Sequence, residues 1–191
     1  MATSNTTTTT TANKDADYGL ASVKFQQAVA NGFPTSWDDA FSLIAMVKDN
    51  FNFNDAAPSE TNIEVEDMDE YYATLESDKG SKGFVIQTYD MGEATYKYLC
   101  GYAAASDSSG WLTETPGFKL ANQAVQVITK TLGTEFRAKQ YEWANMKTTV
   151  VKAGTIGKSG FPNFTITCTK QALLDANGKE IAGARWKFLT A

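Results

Sequence analysis

Six acids stand close together at Glu60, Glu64, Glu66, Asp67, Asp69 and Glu70, inside a stretch from Asp55 to Asp78 with nine carboxylates and no base. Two carboxylates at a suitable separation can serve a glycosidase as acid and base, and several together can hold Mg2+ or Ca2+. Here the spacing lacks the Asp-x-[Asp/Asn]-x-[Asp/Asn]-Gly order of a calcium loop. A run of like charge more commonly makes a solvated or partner-facing loop. No catalytic residue and no metal ligand is therefore assigned.

Composition closes off other chemistry. The 191 residues include no histidine, which removes Ser-His-Asp and Cys-His catalysis and every imidazole-ligated zinc, haem or iron site. Cys100 and Cys168 have no Cys-x-x-Cys spacing and read as small core residues. Gly154-Thr155-Ile156-Gly157-Lys158-Ser159-Gly160 has the wrong spacing for a phosphate loop and reads as a glycine-rich hairpin tip. Trp111, Trp143 and Trp186 could stack sugars or bases, but they stand among strand patterns, where aromatics serve as core or interface anchors. Arg137 and Lys139 share a strand face, the pattern of a solvated or salt-bridged surface. No cofactor is implied.

The elements that must carry these residues are mostly strands. Val23 and Phe25 alternate with Lys24 and Gln26, and Phe41, Leu43, Ala45 and Val47 alternate with their neighbours, so strands are expected over 20–28 and 40–47, joined by a turn at Asn31-Gly32-Phe33-Pro34. Asp49 to Lys82 reads as a long acidic excursion with little structure of its own. Phe84 to Tyr89 reads as a buried strand. Asp90 with Glu93 three residues on predicts a capping box and a helix over 92–102, with Ala94, Tyr98, Leu99 and Tyr102 on its apolar side and Gly101 at its end. Further strands are expected over 118–131, 135–143, 148–153, 164–170 and 181–189, the last two joined at Asp175 and Asn177-Gly178 as a terminal hairpin. The fold class is mainly β: an antiparallel β-sandwich or barrel with one flanking α-helix and a long acidic loop. Residues 1–17 are expected to form a Thr-rich arm, disordered or ordered by a partner, and 18–191 a single domain. The Thr-rich start does not resemble a signal peptide, and no segment reaches the roughly 20 apolar residues of a membrane span. Synthesis and folding in a reducing cytoplasm are expected.

Charge is divided along the chain. Residues 1–107 carry 17 acids and 6 bases, whereas 108–191 carry 5 acids and 11 bases, within an overall charge of -5. If the halves project to different surfaces, copies attract head to tail, and such contacts generate rings or filaments. Pairing of the halves within one chain is the alternative.

The order of features resembles the major tail-tube proteins of long-tailed bacteriophages. The resemblance rests on the first strand pair, the acidic loop with Thr61-Asn62-Ile63-Glu64-Val65-Glu66-Asp67, the strand Gly83-Phe84-Val85-Ile86-Gln87-Thr88-Tyr89-Asp90-Met91 leading to a short helix with Tyr98-Leu99-Cys100-Gly101, and the strand-rich second half. The Thr-rich start is not a general feature of that family. The resemblance implies a noncatalytic virion protein of the viral tail, similar in architecture to the type VI secretion tube. Six copies would close inner-sheet strands into a ring (a homohexamer), and rings would stack into a hollow tube for genome ejection, assembled in the host cytoplasm. Implied partners are further copies, the tail terminator, tape-measure and distal tail proteins, and genomic DNA passing through the lumen without sequence-specific binding; no membrane is implied. Glu64, Glu66, Asp67, Asp69 and Glu70 would face a neighbouring subunit or ring. Lys119, Lys130, Arg137 and Lys139 are candidate basic partners, and the helix with Glu93, Tyr98, Leu99 and Tyr102 would lie outside. An acidic chain suits a conduit that must not grip phosphates. The alternatives are a carbohydrate-binding β-sandwich module with Trp111, or Tyr71 and Tyr72, as sugar platform, and, further off, a metal-dependent hydrolase built on Glu66 and Asp67.

Overall fold

The computed structural model describes Asp17 and residues 19–64, 66, 69–71, 73–78, 80–106, 109–133, 136–157 and 160–189. Within them the chain is mainly β and antiparallel with one helix. In chain order the elements are β1 (Leu20–Gln27), β2 (Phe41–Leu43), β3 (Asn52–Phe53), β4 (Ser59–Ile63), β5 (Ala73–Asp78), β6 (Gly83–Thr88), α1 (Glu93–Cys100), β7 (Tyr102–Ala104), β8 (Leu112–Glu114), β9 (Gln123–Thr129), β10 (Lys139–Ala153), β11 (Asn163–Lys170), β12 (Leu173–Leu174), β13 (Glu180–Ile181) and β14 (Ala184–Phe188). The expected arm lies outside the described residues except for Asp17.

Eight strands form one hydrogen-bonded system in the order β2-β1-β9-β10-β11-β6-β3, with β14 also on β10. Its centre is β10, expected as two strands but found as one of 15 residues. Its first part pairs Tyr141 with Val127 of β9 and with Trp186 of β14; from Met146 onward β11 takes the side that β14 held, while Met146 itself still pairs with Gln123 of β9. The register on β9 shifts between Trp143 and Met146, where the ladder is interrupted. The backbone there is satisfied from outside the ladder: Ala144 N–H donates to the Gly183 carbonyl at 2.9 Å, and Gln171 N–H to the Asn145 carbonyl at 2.9 Å. Asn145 Nδ2 donates to the Ala172 carbonyl at 2.6 Å and anchors the same point.

Alternation in these strands builds the core. Val23, Phe25, Val125, Val127, Phe84, Ile86, Met146, Phe164, Ile166 and Cys168 are all buried in one cluster. The cluster takes residues from both arms of β10's system, so the strand groups cover each other as layers. α1 spans the gap between them. Leu99 is buried in the core, Tyr98 stacks on Phe41 of β2 at 4.5 Å, and Tyr96 meets Phe164 of β11 edge-on at 5.2 Å.

Several local expectations are corrected. The 40–47 strand ends at Leu43, because Ala45 takes a left-handed φ of 49° and the chain crosses to β6, where Met46 bridges Thr88. The 49–82 excursion is not structureless: β3 pairs with β6, and β4 with β5 forms a hairpin. Asp90 does not cap the helix as expected. Gly92 is the N-cap, and the Asp90 carboxylate, two residues earlier, accepts from Gly92 N–H at 2.9 Å and from the Thr95 hydroxyl. Glu93 pairs instead with Lys97 one turn on. Gly101 ends α1 as read, with φ 69°, and a Cβ there would lie 2.1 Å from the Phe118 ring. Tyr102 therefore leaves the helix and opens β7. The 118–131 strand begins only at Gln123, and the expected 135–143 strand begins at Lys139. The terminal hairpin does not form, because β11 pairs with β6 and β10 while β14 returns to β10. Its turn is nevertheless real, since Asp175 Oδ1 accepts from Asn177 and Lys179 N–H at 2.8 and 2.9 Å and closes the small β12–β13 hairpin.

Ile166→Ala should remove a fully enclosed side chain and lower the unfolding free energy by about 2–5 kcal/mol. Val151→Ala on the same sheet, at a side 61% exposed, should stay within about 0.5 kcal/mol. Urea titration of both variants checks the assignment of faces.

Candidate functional site

The acidic cluster sits at the connection of the β4–β5 hairpin. Thr61 pairs with Leu75, Asn62 with Thr74 and Ile63 with Ala73, and Thr74 Oγ1 donates to Asn62 Oδ1 at 2.8 Å. Every residue of β4 is exposed, including Ile63, and Leu75 opposite is 55% exposed. Among the described residues the two strands pair only with each other. A hairpin whose described side chains, apart from half-buried Ala73, are all exposed gains little from its own chain. Glu64, Glu66, Asp69 and Glu70 are exposed on it. Asp67 lies outside the described residues, as does Tyr72 of the alternative sugar platform. Among the described residues, Glu60, Glu64, Glu66, Asp69 and Glu70 have no ion-pair partner, and no group of three or more acids or cysteines converges as a metal site.

The expected basic partners are dispersed. Lys119 and Lys130 are exposed before and after β9. Lys139 is engaged within the chain: its Nζ is 3.2 Å from Asp17 Oδ1 and 5.5 Å from the Phe188 ring centre. The Arg137 guanidinium lies 3.8 Å over that same ring. In the helix region, Glu93 faces out, but Tyr98 and Leu99 are inward anchors. Tyr98 donates to Gln123 Oε1 at 2.6 Å, and burial pushes its pKa up to about 12. Tyr102 packs edge-on against Tyr96 at 5.2 Å.

A second polar feature escaped the sequence reading. Register aligns Ser42, Lys24, Gln126, Glu142 and Arg185 in one row across β2, β1, β9, β10 and β14. Gln126 and Glu142 are buried. Glu142 Oε1 accepts from Gln126 Nε2 at 2.9 Å and Gln140 Nε2 at 2.6 Å, while Oε2 accepts from Arg185 Nε at 2.7 Å and lies 2.6 Å from its Nη2. Burial pushes the Glu142 pKa up, but the hydrogen bonds from Gln126, Arg185 and Gln140, with the Arg185 charge, together hold it below the ordinary carboxylate value. The 28–40 connection lies over the row: Lys24 donates to the Trp37 carbonyl at 3.2 Å, Gln26 to the Ser36 carbonyl at 3.2 Å, and Arg185 sits 4.1 Å over the Phe33 ring. Between connection and sheet is a cleft of about 440 Å3 that includes Gln140, Glu142, Arg185 and Lys187. The available signal was the lone acid of Tyr141-Glu142-Trp143, a charge enclosed by aromatics in a strand pattern.

The row also ends at two margins. Among the described residues β2 pairs only with β1, and β14 only with β10, so each leaves one edge of backbone donors and acceptors open there. At β14 this edge carries exposed Arg185, Trp186 and Lys187, with Trp186 58% exposed.

Glu142→Gln should lower stability by about 1–3 kcal/mol, since it removes charged acceptors from buried and half-buried donors. A carboxylate whose folded pKa is depressed stabilises above its unfolded pKa and loses that contribution as pH falls through the folded value. The stability difference between the parent and Glu142→Gln should therefore be constant near neutrality and shrink only at acid pH, read from urea midpoints across pH. No protein-family model and no curated protein matches the chain.

Proposed function

We propose that this chain is a noncatalytic structural subunit whose copies join sheet edges into rings, the rings stacking into a hollow tube of the kind that delivers DNA through a phage tail. The observation that carries the reading is the pair of open margins, β2 and β14, at the two ends of the β2-β1-β9-β10-β14 series, one branch of a strand system that also ends at β3. Open edges left exposed invite uncontrolled association, and ring closure removes them. The strands β2, β1, β9, β10 and β14 alternate in direction, because each neighbouring pair is antiparallel. β2 and β14 consequently run the same way. In a cyclic ring, where rotation about the axis preserves strand direction, β14 of one copy meets β2 of the next as a parallel pair.

Stacking is supported by the polarity of β6. The β4–β5 hairpin leaves the fold at Gly83, where β6 begins. At the other end of β6, the row of Thr88, Phe164 and Lys152 leads to the β10–β11 tip, with Ile156 83% and Phe161 78% exposed. Lys48 is exposed beside that end, since Val47 N–H donates to the Gln87 carbonyl. An unpaired acidic hairpin at one end and an apolar tip flanked by Lys48 and Lys152 at the other are complementary between successive copies.

The triple variant Glu64→Lys, Glu66→Lys, Asp69→Lys should shorten or abolish tubes seen by negative-stain microscopy of concentrated protein. Reversal of Lys48 and Lys152 to Glu in that background should restore part of the length. Raised salt should weaken assembly of the parent, as expected for exposed charges beyond a Debye length of about 8 Å. A parent protein that stays single-copy at every concentration and salt overturns the reading, and glycan binding by such a monomer would support the carbohydrate-binding alternative.

A further inference from the structure

The cleft of about 440 Å3 beneath the 28–40 connection lies within the size range of small-molecule sites. Register places Lys187 beside Gln140 and Arg185 beside Glu142, and residues two apart on a strand share a face, so these four side chains form one patch on β10 and β14. All four line the cleft. Glu142 itself is closed to a ligand, because each of its oxygens already takes two contacts from Gln126, Gln140 and Arg185. Its part is to hold Arg185 in place.

The Arg185 guanidinium gives Glu142 its Nε and Nη2 edge and rests 4.1 Å over the Phe33 ring, yet the side chain is 56% exposed. A guanidinium has five N–H donors, so the Nη1 and Nη2 edge remains for a second bidentate partner. Among the described residues no other group accepts from Arg185, and Lys187 has neither an ion pair nor a hydrogen bond. Two cations are therefore presented to the cleft, one of them already fixed in orientation.

Charge narrows what can bind. Glu142 cancels one of the two cations and leaves a single positive charge on the patch, while Asp38 and Asp39 of the connection do not line the cleft. That balance suits a monoanion, and a planar carboxylate matches the open guanidinium edge. A phosphate or sulfate dianion would meet the Glu142 charge at short range with too little compensation. The remaining lining is neutral and mixed. Trp37 offers an aromatic wall, and Gln140 Oε1 and the Thr35 hydroxyl have no protein partner among the described residues. Such a set takes a hydroxylated ring that carries one carboxylate.

We propose that this cleft binds an acidic sugar of the hexuronate class, with the carboxylate on Arg185 and Lys187 and the ring beside Trp37. Glu142 and Phe33 are positioning residues that fix the guanidinium before the ligand arrives, which lowers the ordering cost of binding. The site is separate from the platforms at Trp111 and Tyr71 and does not rest on tube formation.

The test uses full-length protein below its assembling concentration, with D-glucuronate as probe and D-glucose, acetate and inorganic phosphate for comparison. Glucuronate should shift the Trp37 indole N–H and Arg185 Nε–H resonances saturably, with a dissociation constant in the millimolar range and at least tenfold below those of glucose and acetate. Lys187→Gln, at an exposed position, should weaken glucuronate at least fivefold with the urea midpoint unmoved, and Lys187→Glu should abolish binding. Glucose held as tightly as glucuronate would overturn the role of the carboxylate, and phosphate held more tightly would overturn the choice of a monoanion. Shifts that never saturate, or binding indifferent to Lys187→Glu, would overturn the site itself. None of these results bears on whether concentrated protein forms tubes, which is read separately by microscopy.

Discussion

The architecture depends on one strand serving two sets of neighbours. β10 lies beside β9 and β14 over its first residues and beside β11 from Met146 onward. A strand cannot change partners in mid-course without an interruption of its ladder, and buried peptide groups at the interruption must be satisfied elsewhere. The Gly183 carbonyl and Gln171 N–H satisfy them at Ala144 and Asn145, and the Asn145 side-chain amide donates to the Ala172 carbonyl beside them. The stretch after β11 is thereby tied to the change of partner, and β14 can return to the first half of β10 instead of pairing with β11. The two margins of the β2-β1-β9-β10-β14 series follow from that arrangement.

The two sides of the β1–β9–β10–β14 region divide the work of stability and specificity. On one side Val23, Phe25, Val125 and Val127 enter the common core. On the other, a carboxylate is held by four contacts from three residues, and the 28–40 connection lies across it. A buried charge is tolerated only when its acceptor capacity is filled, so the Glu142 site constrains register: a slip of one residue would place Gln126 and Arg185 away from it and turn the core residues outward. The row therefore fixes which backbone edges stand at the margins. The acidic hairpin is the opposite case. With its described side chains almost all exposed and its described acids unpaired, it makes little contribution to the chain's own stability.

Much of the fold was legible from local pattern. Alternation located β1 and β11 almost to the residue, because each has one face in the core, and β6 was legible as the buried strand Phe84–Tyr89. Gly101 marked the helix end because its left-handed conformation and the nearby Phe118 ring leave no room for a side chain. Asp175 and Asn177-Gly178 marked a turn through hydrogen bonds made within a few residues. The acidic cluster was visible as composition, but its hairpin was not, since β4 and β5 carry no apolar alternation. The failed capping box shows the limit of a spacing rule: Asp90 does bind the start of the helix, but from two residues before the cap.

The chain's own order of residues determined that the protein is mainly β, that one short helix interrupts the strands, that imidazole chemistry is absent, and that acids gather in one segment. Those properties depend on side-chain type and on contacts between near neighbours. Only the tertiary structure decided that two expected strands are one, that β14 passes over its nearest candidate partner to reach β10, and that Lys24, Gln126, Glu142 and Arg185 form a row. Each of these rests on pairings between residues far apart in the chain. A β-strand carries the same period of two whichever neighbour it adopts, so its pattern states that it pairs without stating with what.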